Sequence, residues 1–306
     1  MDASRSAGRH PGGLASDRSF HPLSPVHAMP TIHPLTTRDG VLLHLAFFAP
    51  ADEGAPVLLL THGVANNFVT TPLWTVAEHL HARGHGVALL NNRGHDWVTS
   101  NPIDRRWLGA AHEIFEESAL DFEAALDWLA ARGHGRVVLG GHSLGGLKAA
   151  FACRRLGTGQ VAALVMLSSP RLPDEQEWDW PAHEALLARC RELIAQDRGS
   201  ELMEVEMPTN TPALRGLMSA RTYLNKYGPD ASTTALRFAS EFRLPVFLLA
   251  GSEEKPQLGF ARDMERALTA AESVARVTVE GADHMYGDRH QRVADALSDW
   301  LARQLS

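Results

Sequence analysis

The sequence predicts an α/β fold: a mostly parallel, twisted sheet with helices on both faces and a helical insertion late in the chain. Three observations carry the prediction. Short apolar runs, Val57–Thr61, Val87–Leu90, Val137–Leu139, Val161–Leu167 and Leu244–Leu249, have the continuous hydrophobicity of strands buried on both faces. Segments with helical periodicity separate the first four, the alternation expected of right-handed parallel crossovers. The last two runs are about seventy residues apart, too far for a single crossover helix.

The elements follow in order. Residues 1–30 are rich in Ser, Pro, Gly, His and Arg and lack the apolar block of a secretory signal, so they are expected to form a disordered tail. Globular patterning starts directly after Met29, which makes Met29 the expected start in place of Met1. Ile32–Thr37 and Val41–Phe48 flank Arg38-Asp39-Gly40 and read as a hairpin around a D-G turn. Val57–Thr61 is a buried strand running into His62-Gly63-Val64. A helix over Pro72–Arg83 stops at Gly84, and the next buried strand, Val87–Leu90, leads into Asn91-Asn92-Arg93-Gly94. Phe115, Ala119, Phe122, Leu126 and Leu129 recur at steps of three and four, the core-facing stripe of a long helix.

Val137–Leu139 then meets Gly141-His142-Ser143-Leu144-Gly145, a G-x-S-x-G pentapeptide, with a helix-forming run from Leu147. A side chain at the centre of such a corner is thrust outward on strained backbone. Glycines two residues either side are needed because a Cβ there would strike the adjoining strand and helix. The amide N–H of Leu144 is left unpaired at a helix N-terminus, where developing negative charge is favoured. From about Ile32 onward the chain resembles the α/β-hydrolase superfamily, in its serine esterase and lipase-like branch, and Ser143 matches the nucleophile of the elbow.

That resemblance implies roles for further residues. A His-Gly pair after this strand begins the oxyanion loop of such enzymes, so the amide of Val64 is expected to join that of Leu144 in the oxyanion hole. Arg93 and Gly94 match part of a segment common among relatives, from which Asn91, Asp96 and Trp97 depart; Arg93 is taken as structural. The residues from 171 to 243 occupy the place of a cap, between core segments 31–170 and 244–306. There Leu186, Leu187, Cys190, Leu193 and Ile194 mark one helix. Thr211-Pro212 marks the start of a second helix, carrying Leu214, Leu217 and Met218. Trp178, Trp180, Met203, Met207 and Tyr223 supply cap core and, as a group, an apolar substrate pocket between cap and sheet.

The order nucleophile, acid, histidine is usual in this superfamily. The acid follows the strand after the cap, which makes Glu254 the choice; Glu253 beside it, and Asp174 or Glu175 after the preceding strand, remain alternatives. Gly281-Ala282-Asp283-His284 lies between the last strand, Ala275–Val279, and the last helix, where these enzymes carry their base, so His284 is selected from sixteen histidines. Asp283 is assigned to its own loop.

Composition narrows the function further. A formal charge of −7 without Lys/Arg clusters argues against nucleic-acid binding. Two distant cysteines, Cys153 and Cys190, give neither a disulfide framework nor metal-ligand spacing, so no metal or cofactor is expected. No apolar run is long enough to span a bilayer, and a cytoplasmic location is expected. The expectation is a serine hydrolase acting on a small to medium, fairly apolar carboxylic ester, with a homodimer as a possible assembly. A serine at the elbow rules against haloalkane dehalogenase and epoxide hydrolase chemistry, which needs aspartate there. Thioesterase, lactonase and amidase or peptidase activities use the same groups. The contrasting reading is a non-catalytic, ligand-binding member of the fold.

Overall fold

The computed structural model describes residues 29–157, 159–173, 178–206 and 215–305. β1 (Thr31–Thr36) and β2 (Leu42–Phe48) pair antiparallel around a turn in which Gly40 adopts φ +80°, a conformation that disfavours any side chain. The core then alternates: β3 (Val57–Thr61), α1 (Leu73–His81), β4 (Gly86–Asn91), α2 (Ser118–Ala130), β5 (Val137–His142), α3 (Leu144–Leu156) and β6 (Val161–Leu167). β7 (Val246–Gly251), α4 (Lys255–Ala267), β8 (Val274–Val279) and α5 (His290–Leu305) complete it. The eight strands lie in the order β1-β2-β4-β3-β5-β6-β7-β8; β2 pairs antiparallel with β1 and β4, and every other pair is parallel.

The alternation along each strand splits the core into two layers. Val57 and Leu59 face the layer packed by α2 and α3, with Phe115, Phe122 and Leu129. Leu58 and Leu60 face the layer packed by α1 and α5, with Leu73, Leu297 and Trp300. Because β3, β5, β6 and β7 are covered on both faces, they tolerate only apolar or glycine side chains along most of their length. The parallel strands therefore deliver their C-terminal ends, and the loops that follow, to one edge of the sheet.

Two short additions differ from the sequence expectation. A small hairpin pairs Thr99–Ser100 with Trp107–Leu108 ahead of α2. The segment from 171 to 243 is mixed rather than purely helical. It holds α6 (Trp180–Ala195), an antiparallel pair β9 (Leu202–Glu206) and β10 (Arg215–Ser219), α7 (Ala220–Tyr227), and a 3-10 turn over Ala235–Glu241. Leu217 and Met218, expected on a helix, are on β10, with Met218 buried and Leu217 exposed. This alternation is strand periodicity, and helix formation starts only at Ala220, where the Ser219 hydroxyl accepts from the Thr222 amide as N-cap. The expected start at Thr211-Pro212, together with Leu214, Met207, Asp174, Glu175 and residues 1–28, lies outside the described residues. Leu187, Cys190 and Leu193 of α6 are buried as their spacing predicts, beside Trp178, Met203 and Tyr223.

Candidate active site

The corner between β5 and α3 puts Ser143 at φ 58°, ψ −127°, a region that non-glycine residues rarely occupy. The surrounding close approaches explain the glycines. A Cβ on Gly141 would come within 2.4 Å of the Gly145 carbonyl carbon, and one on Gly145 within 2.3 Å of the Thr61 carbonyl oxygen. The Ser143 amide donates to the Leu167 carbonyl at 2.8 Å, locking the corner to β6. Leu144 opens α3, so its N–H has no acceptor within the helix.

The loop after β3 lies directly against this corner: a Cβ on Gly63 would stand 2.8 Å from Ser143 Cβ and 3.2 Å from its Oγ. His62 is fully buried, and desolvation, helped by the Lys148 charge, drives its pKa down to about 3, so the ring is neutral. Its Nε2 accepts from the Asn92 amide at 3.2 Å, which puts the proton on Nδ1 for donation to the Gly63 carbonyl at 2.9 Å. Val64 is half-buried, and its carbonyl accepts from Asn66 Nδ2 at 3.0 Å.

His284 and Glu254 meet on the other side. Glu254 caps α4 just past β7, with its side chain turned inward; His284 sits between β8 and α5. His284 Nδ1 lies 2.6 Å from Glu254 Oε1. A carboxylate only accepts, so Nδ1 carries the proton and Nε2 is left as a base. Glu254 Oε2 accepts from the Ser168 hydroxyl at 2.5 Å and from the Gly251 amide at 2.7 Å; Ser168 Oγ also lies 3.0 Å from Tyr286 Oη. The imidazole is partly open to solvent, at 41% side-chain exposure, whereas the Glu254 side chain is at 3%. No hydrogen bond joins Ser143 Oγ to His284 among the described residues; such contacts are often long until substrate is bound.

His142 supports the same histidine. Its Nε2 donates to the His284 carbonyl at 2.8 Å, and the two rings lie 4.7 Å apart at 44°. Burial, with the neighbouring His284, keeps the His142 pKa well below its ordinary value.

Of the residues selected from sequence, Ser143, Leu144 and the His62–Val64 loop are thus brought together, and Glu254 and His284 are in contact. Glu253 is exposed. Asp283 serves its own loop, accepting from the Met285 amide at 3.0 Å. Arg93 is buried and structural: it bonds Asp121, Asp39 and Glu117, tying the loop after β4 to α2 and to the first hairpin. Sequence reasoning missed Ser168, Tyr286 and His142, and also the buried charges Lys148 and Glu113. Lys148 left one signal, a lone cation inside the run Leu147–Cys153 that is otherwise wholly apolar.

Among the described residues no group of three or more His, Cys, Asp or Glu side chains is arranged to hold a metal ion. No helix among them is long and apolar enough to cross a membrane. Cys153 and Cys190 are buried free thiols, pushed by burial up to about 12 and about 11. Two cavities flank the 171–243 segment, of ≈ 540 Å³ beside Trp107 and Arg221 and ≈ 660 Å³ beside Trp180 and Arg237; neither is lined by Ser143, His284 or Glu254.

A parallel sheet bearing a serine on a strained strand–helix corner, with a histidine and carboxylate on later loops of the same edge, is the architecture of the α/β hydrolases. A family model described as "Alpha/beta hydrolase family" matches residues 57–296, and the chain belongs to that family. Compared by sequence with curated proteins, it matches none. Among solved structures, DcsB in complex with a substrate analogue is similar over 90% of this chain and 100% of its own, at 16% identity and a TM-score of 0.69. Est1E from Butyrivibrio proteoclasticus with bound ferulic acid is similar over 89% and 98%, at 18% identity and a TM-score of 0.63. A monoacylglycerol lipase from Paleococcus ferrophilus is similar over 86% and 99%, at 19% identity and a TM-score of 0.62. At these identities the likeness is one of fold.

Proposed function

We propose that this chain is a serine hydrolase that cleaves a carboxylic ester of small to medium, fairly apolar character, with Ser143, His284 and Glu254 as its triad. The observation that carries the reading is the 2.6 Å contact between Glu254 Oε1 and His284 Nδ1, made at the strand edge where the half-buried Ser143 stands on its corner. A serine hydroxyl is a weak nucleophile at neutral pH and needs a base. With Nδ1–H given to Glu254, His284 Nε2 is the free acceptor for the Ser143 proton. Attack of Oγ on the ester carbon opens the carbonyl to a tetrahedral oxyanion, and collapse expels the alkoxide, which takes the proton from Nε2. Water, deprotonated by the same nitrogen, then releases the acid from the acyl-serine. Glu254 holds the tautomer and stabilises the imidazolium throughout.

The amides of Leu144 and Val64 are the donors we assign to the oxyanion; loss of one such donor typically costs about 3–4 kcal/mol of transition-state stabilisation. The segment 171–243 is assigned as a cap over this edge. An ester is the substrate class we assign because an alkoxide leaves more readily than an amine; His284 Nε2 would protonate either leaving group. Fold neighbours named as an esterase domain, from Rhodothermus marinus, and as a monoacylglycerol lipase are consistent with an ester, without carrying it.

The test is hydrolysis of p-nitrophenyl esters from acetate to laurate by wild type, Ser143→Ala and His284→Ala. Turnover with an optimal chain length, lost in both variants, is the expected result. No turnover at any length, together with no labelling of Ser143 by a fluorophosphonate probe, would overturn it in favour of a non-catalytic binding protein. Labelling without ester turnover would shift the assignment to thioesters, lactones or amides.

A further inference from the structure

Beneath the proposed oxyanion loop runs a buried polar chain that the reaction itself does not use. Glu113, Lys148 and Lys226 are all fully or almost fully buried. Lys226, on α7, pairs with Glu113 Oε1 and donates to the Ala110 carbonyl at 3.2 Å. Lys148, on α3, lies 2.5 Å from Glu113 Oε2 and donates to Asn92 Oδ1 at 2.8 Å. A donor-only ammonium fixes which end of the Asn92 amide faces it, so Nδ2 is turned toward Thr61 Oγ1 at 2.8 Å and the His62 carbonyl at 3.4 Å. The Asn92 backbone N–H meets His62 Nε2, and His62 Nδ1–H holds the Gly63 carbonyl. The peptide joining Gly63 to Val64 is planar and trans, so turning its carbonyl toward the His62 ring turns the Val64 N–H the opposite way.

Charge balance says what Lys148 is for. One ammonium group suffices to neutralise Glu113, and a second buried one carries a desolvation cost of several kcal/mol unless its bonds return it. Its remaining contact, Asn92 Oδ1, also accepts from the Gly94 amide at 2.9 Å, and the other end of that side-chain amide faces the end of β3 and the loop that follows it, at Thr61 and His62. We propose that Lys148 is a positioning residue for the oxyanion loop: acting through Asn92 and His62, it fixes the orientation of the Val64 amide next to Ser143. This proposal rests on the reading of Ser143 as nucleophile, and its test separates the two.

The experiment compares wild type with Lys148→Met and Asn92→Ala. The second removes the side-chain link from Lys148 to the Thr61 hydroxyl and the His62 carbonyl, and leaves the ion pairs and the backbone bond from Asn92 N–H to His62 Nε2 in place. In folded variants kcat for the best p-nitrophenyl ester is expected to fall about 10- to 100-fold, the scale of a donor misplaced by an ångström. KM should change less than about threefold, because the lost contact is made only in the transition state. Affinity for a trifluoromethyl ketone, which forms an oxyanion on Ser143, should fall in step with kcat, a correlation that mere loss of stability does not produce. Amide hydrogen exchange over residues 62–67 should quicken. Unchanged kcat in either folded variant, or a loss carried by KM, overturns the proposal. Should Lys148→Met not fold, Asn92→Ala decides alone. Should wild type hydrolyse no ester, the nucleophile reading has failed, and exchange decides: faster over 62–67 upholds the anchoring, unchanged refutes it.

Discussion

Two buried glutamates stand at the same edge of the sheet with opposite surroundings. Glu113 faces two buried ammonium groups, Lys148 and Lys226, and although burial raises its pKa, their attraction prevails and holds it down to about 2. Glu254 faces no permanent cation: its partners are the Ser168 hydroxyl, the Gly251 amide and the His284 imidazole. A carboxylate neutralised in advance gains nothing when a neighbour becomes charged. One satisfied only by dipoles is poised to favour the imidazolium the moment it forms. The first arrangement suits a fixed anchor, the second a reaction, and their positions fit: Glu113 lies under a loop, Glu254 beside a partly open histidine.

The largest effect that tests this contrast is expected at Glu254. Glu254→Gln keeps the shape and loses the charge, and kcat should fall by about 10³- to 10⁴-fold, as for a triad acid replaced by its amide. Glu253→Gln should leave kcat unchanged; equal losses at both positions would undo the assignment. Glu113→Gln is expected to act on stability first. With its anion gone, two buried ammonium groups face each other, a change that costs about 3–5 kcal/mol in comparable pairs, readable by urea denaturation. A stability within 1 kcal/mol of wild type, on the order of an exposed pair, would mean that Glu113 is no anchor.

A smaller effect concerns His62. The folded protein holds it neutral down to about pH 3, whereas the unfolded chain takes up the proton near the ordinary value of 6.5. Between those values the unfolded state binds more protons, so stability falls as pH drops through the window, by up to about 1.4 kcal/mol per pH unit from this one group. His62→Gln should make the slope of unfolding free energy against pH, from 6.5 to 4, shallower by one proton. An unchanged slope would show that the ring is not kept neutral by burial.

How much of this was legible in the sequence depended on whether the determinant was local. The apolar runs of β3, β4, β5, β6 and β7 are local, as are the D-G turn before β2 and the glycines at 141 and 145 that the Ser143 corner demands, and each was readable. The choice between Glu253 and Glu254 was not. We favour Glu254, which stands at the N-cap position of α4 with its side chain buried against His284, while Glu253 faces solvent. The β9–β10 pair escaped because its strands are only five residues each and because Gly216 in β10 answers to a distant partner, the Trp97 ring, which a Cβ there would strike at 1.9 Å. The Lys148–Glu113–Lys226 cluster joins residues from three distant segments, and no periodicity within any one of them encodes the meeting.

The backbone at Ser143 carries one more consequence. Its φ of 58° and ψ of −127° suit glycine far better than serine, and non-glycine residues held in such regions cost about 1–3 kcal/mol. Ser143→Gly, the change most damaging to the proposed chemistry, should therefore raise the melting temperature. Here the folded state and the reaction pull on one residue in opposite directions: selection for robustness alone would erase this serine.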